Sequence, residues 1–224
     1  MRRLLRVLST VLICAGLALL ADGALTLLWE EPVSSLYARV QQGKLDDRLV
    51  QLQRSGPSPA ERRVLARLPD PERQLRFAAR AALRRAREGD PVGRLKMESI
   101  GVDEVVVHGT DGATLRNGPG HYPDAPLPGA RGTVAIAGHR TTYGAPFRHV
   151  DELRNGDRIE LRMPYGRFTY RVERTQIVAP TQTSVTRRVA YDQLVLTACH
   201  PLYSAAQRIV VFARLVRSAP TFGS

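Results

Sequence analysis

From Pro91 onward the chain breaks into short, β-branched apolar runs interrupted at close intervals by turn residues, and this spacing restricts the fold more than any other feature. The runs are Val92 to Ile100, Val102 to His108, Gly132 to Ala137, Arg158 to Arg162, Phe168 to Val178, Gln193 to Ala198 and Arg208 to Val216. Between them stand Gly109-Thr-Asp-Gly112, Asn117-Gly-Pro-Gly120 and Asn155-Gly156-Asp157, with the Gly, Asn, Asp and Pro chemistry of tight turns. Seven or eight short strands with little helix between them predict a closed or nearly closed β-barrel, or a sandwich, over residues 91–217. Residues 218–224 read as a short tail.

The segments upstream read differently. Arg2, Arg3 and Arg6 precede an apolar run from Val7 to Ala21, which resumes after Asp22-Gly23 and closes at Trp29-Glu-Glu31. The whole is near the ~20 residues that cross a bilayer, with Trp29 placed as an interfacial anchor. Basic residues on its N-terminal side predict that end inside and the rest of the chain outside, so residues 1–31 read as a cytoplasmic tip and single-pass signal anchor. The rival is a cleaved signal peptide with Val7 to Ala21 as its apolar core. A lipoprotein anchor fails, because Ile13 precedes Cys14 where a small residue is needed. Residues 32–90 are polar and arginine-rich, are broken by Gly56-Pro-Ser-Pro59, and predict a basic, partly helical stalk holding the domain off the bilayer. Ser58-Pro59-Ala-Glu61 opens like a helix start, and Leu65, Leu68, Leu75, Ala79, Ala82 and Leu83 form a loose helical stripe.

Net charge is +12, nearly all of the excess arginine. A nucleic-acid partner is not expected, because few aromatics are interleaved for base stacking. A basic chain beside anionic lipid or wall polymer accounts for the same charge. Of the two cysteines, Cys14 lies in the apolar run, which leaves Cys199 as the one thiol of the folded part. An unpaired cysteine outside the cell is exposed to oxidation unless it is deeply buried or has a chemical task.

Cys199 ends the run Leu194-Val-Leu-Thr-Ala, and the chain returns through a turn-rich loop to Arg208 at the head of the next run, so a β-hairpin brings the two to one end. His139 leaves the strand-like Gly132-Thr-Val-Ala-Ile-Ala-Gly138 into a loop, where it can carry a proton near neutral pH. Arg208 is a permanent cation able to hold charge on an attacked carbonyl oxygen. His200, beside the thiol, competes with His139 as base, although consecutive strand residues point apart. His108, His121 and His149 lie in separate turns and read as structural, and no metal or cofactor is expected, since Cys199 lacks neighbours at ligand spacing.

These residues resemble a known family. Gly138-His139-Arg140-Thr-Thr-Tyr143-Gly-Ala-Pro-Phe147 and Leu196-Thr-Ala-Cys199-His-Pro-Leu-Tyr-Ser204-Ala-Ala-Gln-Arg208 are similar to the sortases, and to their class E branch of high-GC Gram-positive bacteria. Gly118-Pro-Gly-His-Tyr-Pro123 and Leu127-Pro-Gly129 extend the likeness over most of the expected barrel. The resemblance implies a closed eight-stranded barrel and a cysteine transpeptidase. Cys199, His139 and Arg208 are then its catalytic residues, with Thr197, Ala198 and His200 lining the substrate site and Tyr143 reading the second residue of the sorting motif. The implied partners are secreted proteins ending in a Leu-Ala-x-Thr-Gly or Leu-Pro-x-Thr-Gly-like signal, and a peptidoglycan-precursor amine as acceptor. The family's Thr-Leu-x-Thr-Cys signature stands here as Val195-Leu-Thr-Ala-Cys199, so Ala198 and Val195 are the departures from it.

Three alternatives stay open at this point. A pilin-polymerising sortase is disfavoured by the lack of a lid-like insertion before the barrel or a second apolar span after Val216. An L,D-transpeptidase would set its cysteine in Ser-His-Gly-Cys, which is not the setting of Cys199. A catalytically silent wall-binding barrel is the third.

Overall fold

A computed structural model of the chain describes residues 2–28 and 32–221. The expectation for Trp29 and the last residues of the tail lie outside them.

Eight strands close into a barrel: β1 (Pro91–Met97), β2 (Val102–His108), β3 (Gly120–His121), β4 (Thr133–Ala137), β5 (Arg158–Met163), β6 (Gly166–Val178), β7 (Gln193–His200) and β8 (Gln207–Pro220). Around the barrel they run β1-β2-β3-β4-β7-β8-β6-β5. Two of the pairings, β2 with β3 and β4 with β7, are parallel, and the others are antiparallel. The predicted runs thus become strands, and the eighth is β3, too short to show an alternation of its own. The first run ends early: Glu98–Ile100 is a 3-10 turn closed by Gly101 in the left-handed region. The last runs late, since Ser218, Ala219 and Pro220, expected as tail, pair with Phe168, Arg167 and Gly166.

Alternation fills the interior. Leu95, Met97, Ile136, Ile159, Leu161, Phe168, Tyr170, Leu194, Leu196, Val211 and Ala213 form one cluster, all essentially excluded from solvent. Gly93 belongs to this wall because a Cβ there would stand 2.5 Å from the Met163 sulfur and 2.8 Å from the Arg162 carbonyl.

The region upstream is helical, as expected of the stalk, and it packs on the barrel. Helix α1 (Arg2–Leu28) carries one stretch, Arg3–Ala21, long and apolar enough to cross a membrane, with none of it buried. Helices α2 (Pro32–Ser55), α3 (Pro59–Leu65) and α4 (Pro71–Arg85) do not stand away from the barrel. Leu45 and Leu49 of α2 pack on Val105 and Val107 of β2, while Leu75, Ala78 and Ala79 of α4 join the main core. The physical reason is β2's open edge. β3 pairs only Val107 and His108 of that strand, so the peptide groups of Val105 need other partners. Gln42 supplies both: its Nε2 donates to the Val105 carbonyl (3.1 Å), and its Oε1 accepts from the Val105 N–H (2.7 Å). Arg94 then bridges Asp46 of α2 and Asp103 of β2, and Arg48 pairs with Asp90. Glu104 sits on the flank of a cleft of about 410 Å3 between α2 and the barrel, and burial pushes its carboxyl up to about 7. The helix start expected at Ser58 is a full capping box, Glu61 N–H to Ser58 Oγ and Ser58 N–H to Glu61 Oε2.

Candidate active site

Two neighbouring pairings set the site. β4 and β7 run parallel with Ala137 opposite Thr197, and the Gly138 N–H donates to the Thr197 carbonyl at 3.1 Å, so both strands end together. β7 and β8 run antiparallel with Cys199 directly opposite Arg208. The structure therefore brings His139, Cys199 and Arg208 to one end of the barrel from three adjacent strands. Gly138 permits the exit of the histidine loop there, because a Cβ would lie 2.6 Å from the Phe147 ring packed beneath it.

Face alternation along β7 sorts its residues. Leu194, Leu196 and Ala198 point into the core, so Val195, Thr197 and Cys199 face the other way. Thr197 is tied by its hydroxyl to the Tyr122 hydroxyl at 3.0 Å, and Cys199 is half-buried. Ala198, expected at the substrate, has its side chain in the barrel core instead, on the face opposite the thiol. Whatever the missing threonine hydroxyl would do, it would do from inside the barrel wall.

His139 is held from several sides. Its carbonyl accepts from the Phe147 N–H at 2.9 Å, and its ring lies 5.4 Å from the Tyr143 ring. Its Nε2 is buried and meets no hydrogen-bond partner among the described residues. Burial, and secondarily the positive charge of Arg116, hold the imidazole below its ordinary pKa. Arg116 also stands 5.6 Å over the Tyr143 ring. Tyr143 adopts φ 52°, a strained value for a non-glycine residue, and its N–H donates to Ser34 of α2 at 3.2 Å. Tyr37 of α2 meets the Tyr143 ring edge-on at 6.4 Å.

Arg208 donates from Nη1 to the carbonyls of Ala205 and Gln207, both at 2.9 Å, which fixes its guanidinium over the loop that follows the thiol. Among the described residues it has no carboxylate within ion-pair distance. His200 is engaged elsewhere: Arg140 Nη1 lies 3.3 Å from its Nδ1, and since arginine can only donate, that nitrogen accepts. Arg140 is buried, bonds the Arg148 carbonyl through Nε and Nη2, and pairs with Asp151 at 2.7 Å. It therefore ties both ends of the histidine loop to the residue after the thiol. Sequence reasoning missed Arg140, Arg116, Tyr122 and the α2 contacts. The only available signal was an arginine following the candidate histidine, and charge alone does not show burial.

An outward thiol, a half-buried imidazole and an arginine that has no carboxylate partner among the described residues thus meet at one rim of a closed mixed barrel. The chain belongs to the sortase family, whose domain model matches residues 95–216. It is 35% identical to Sortase D of Bacillus subtilis over 132 residues, covering 57% of this chain and 65% of that protein. It is 29% identical to Sortase SrtE1 of Streptomyces coelicolor over 115 residues, covering 45% of this chain and 33% of that protein. The chain thus spans less than two thirds of either relative. Sortase E from Streptomyces avermitilis superposes with a TM-score of 0.55 at 30% identity, covering 60% of this chain and 93% of that structure. A Sortase D5 transpeptidase from Clostridium perfringens gives 0.57 at 27%, covering 62% and 88%.

Proposed function

We propose that the chain is a membrane-anchored cysteine transpeptidase that cuts the Thr–Gly bond of a Leu-Ala-x-Thr-Gly or Leu-Pro-x-Thr-Gly-like sorting signal and passes the acyl chain to a peptidoglycan-precursor amine. One observation carries the reading: Cys199 and Arg208 are cross-strand partners, and the adjacent parallel strand delivers His139 to the same end. The Cys199 thiol gives its proton to His139 as its sulfur attacks the threonine carbonyl carbon, and the new C–S bond leaves charge on the carbonyl oxygen, which the Arg208 guanidinium stabilises. The C–N bond breaks as His139 hands a proton to the departing glycine amine. The acceptor amine then attacks the thioester, gives a proton to His139 and releases the thiolate. A buried Nε2 with no hydrogen-bond partner among the described residues suits this part, since a ring nitrogen already hydrogen-bonded has no free position for a travelling proton. The basic N-terminus ahead of the apolar stretch in α1 supports a cytoplasmic tip and an extracytoplasmic barrel.

The test is acyl transfer. With a labelled Leu-Ala-x-Thr-Gly peptide and an amine, the full-length protein is expected to give transfer product and a thioester on Cys199 by mass spectrometry. Wild-type transfer by the Cys199→Ala variant would refute the mechanism. A preference for Leu-Pro-x-Thr-Gly peptides would change only the motif.

A further inference from the structure

The short path from α1 to the active site constrains how the barrel meets the membrane. Helix α1 has 27 residues and is about 40 Å long, enough to cross a bilayer with its headgroups. Only three residues separate Leu28 from Pro32, so the start of α2 lies at most about 14 Å from the end of α1. Two residues further on, Ser34 accepts a hydrogen bond from Tyr143, in the loop that carries His139. From there α2 descends the barrel wall, passing Val105 at Gln42 and reaching Asp90 at Arg48, away from the thiol. The end of the barrel that emerges next to α1 is therefore the end that bears Cys199.

That end is dressed for a lipid surface. Leu36, Tyr37 and Val40 in the first turns of α2 are 63%, 42% and 51% exposed, and Tyr203 in the loop after Cys199 is 57% exposed beside Leu202. Arg39 and Arg116 are exposed at the same end, and Arg148 reaches the Tyr203 hydroxyl at 3.4 Å. Apolar and aromatic side chains interspersed with arginine suit the boundary between acyl chains and anionic headgroups. We propose that the active-site end of the barrel, bounded by the first turns of α2 and the β7–β8 loop, is a docking surface that rests on an anionic bilayer. The domain then sits with its catalytic rim down on the membrane, and α2 serves as the strut that sets this pose. The proposal rests on α1 being a membrane span.

A depth measurement tests it. The full-length protein with Cys14→Ser and Cys199→Ala receives one reporter cysteine, at Leu202 on the active-site end or at Gln53 near the far end of α2, about 28 Å along the helix from Ser34. Each is labelled with a small fluorophore and reconstituted into phosphatidylcholine and phosphatidylglycerol vesicles that carry headgroup nitroxides. Quenching at position 202 is expected to be at least threefold that at position 53. Charge introduced by Leu36→Glu with Val40→Glu is expected to halve it. Equal quenching at the two positions, stronger quenching at 53, or none at either overturns the docked pose. Vesicle flotation separates the two claims: protein that floats without quenching at 202 refutes the pose alone, whereas protein that does not float removes the anchor and the pose with it.

Discussion

Two histidine environments in this barrel show how differently one fold can treat the same side chain. His121 and His108 face each other through their Nδ1 atoms at 3.2 Å, their rings stacked at 5.4 Å. His121 Nε2 stands 3.2 Å from the Pro126 carbonyl, so it donates there, its Nδ1 accepts, and His108 Nδ1 must donate. Each of those facing atoms is committed, and burial drives the His121 pKa down to about 4. His139 is half-buried and also lowered, but its buried Nε2 meets no hydrogen-bond partner among the described residues. The rings differ in exposure, and they differ in whether the fold spends the ring nitrogens on itself.

The largest effect that can break this contrast is on turnover. His139→Gln is expected to lower the transfer rate by about 10²–10⁴-fold while the thermal midpoint barely moves, because no protein hydrogen bond is lost at Nε2. A large loss of stability with little loss of rate would assign His139 to the structural class.

The reverse holds at His121. His121→Leu strands the Pro126 carbonyl and the His108 donor, and is expected to cost about 2–3 kcal/mol in chemical unfolding with the barrel's specificity unchanged. The acid dependence carries the same signature. The folded pKa lies below the ordinary value near 6.5, so the neutral form favours the folded state above pH 6.5 and that stability drains away as pH falls towards 4. The Leu variant is expected to lose this slope.

Glu104 works in the opposite direction and hides part of it. Its folded pKa of about 7 exceeds the ordinary carboxyl value near 4.5, so its contribution is present below pH 4.5 and declines as pH rises through 7. Glu104→Gln is expected to stabilise the protein by about 1–2 kcal/mol at pH 8, to do little at pH 4.5, and to steepen the acid loss caused by His121. Denaturant titrations at the two pH values decide it.

The smallest effect concerns Arg116. Removing its charge by Arg116→Gln leaves burial as the main influence on His139 but takes away a cation that disfavours the imidazolium. The acid limb of the pH–rate profile is expected to move to higher pH. A shift to lower pH, or none, would show that Arg116 acts on His139 only through its packing on Tyr143.

Much of the barrel was legible because its strands are short apolar runs, such as Leu194-Val-Leu, set between turn residues. β3 was not, since two residues carry no period. Nor was α2: among its described side chains it buries only Ala38, Leu45 and Leu49, too sparse an apolar face to stand out from a polar linker. At the site, Cys199, His139 and Arg208 could be read because each ends or begins an apolar run. Ser34, Tyr37 and Arg116 could not, because they reach Tyr143 only through tertiary packing. The facing of Ala198 could not be read either: adjacent to the thiol in sequence, it lies on the other face of the strand.

The parallel seam between β4 and β7 has one more consequence. Parallel neighbours cannot be joined by a tight turn, and here β5 and β6 are inserted between them, so His139 and Cys199 become neighbours only after the sheet has wrapped round. In a chain made from its N-terminus, the histidine loop precedes the thiol-bearing strand and waits for it. The proposed site thus assembles only with ring closure.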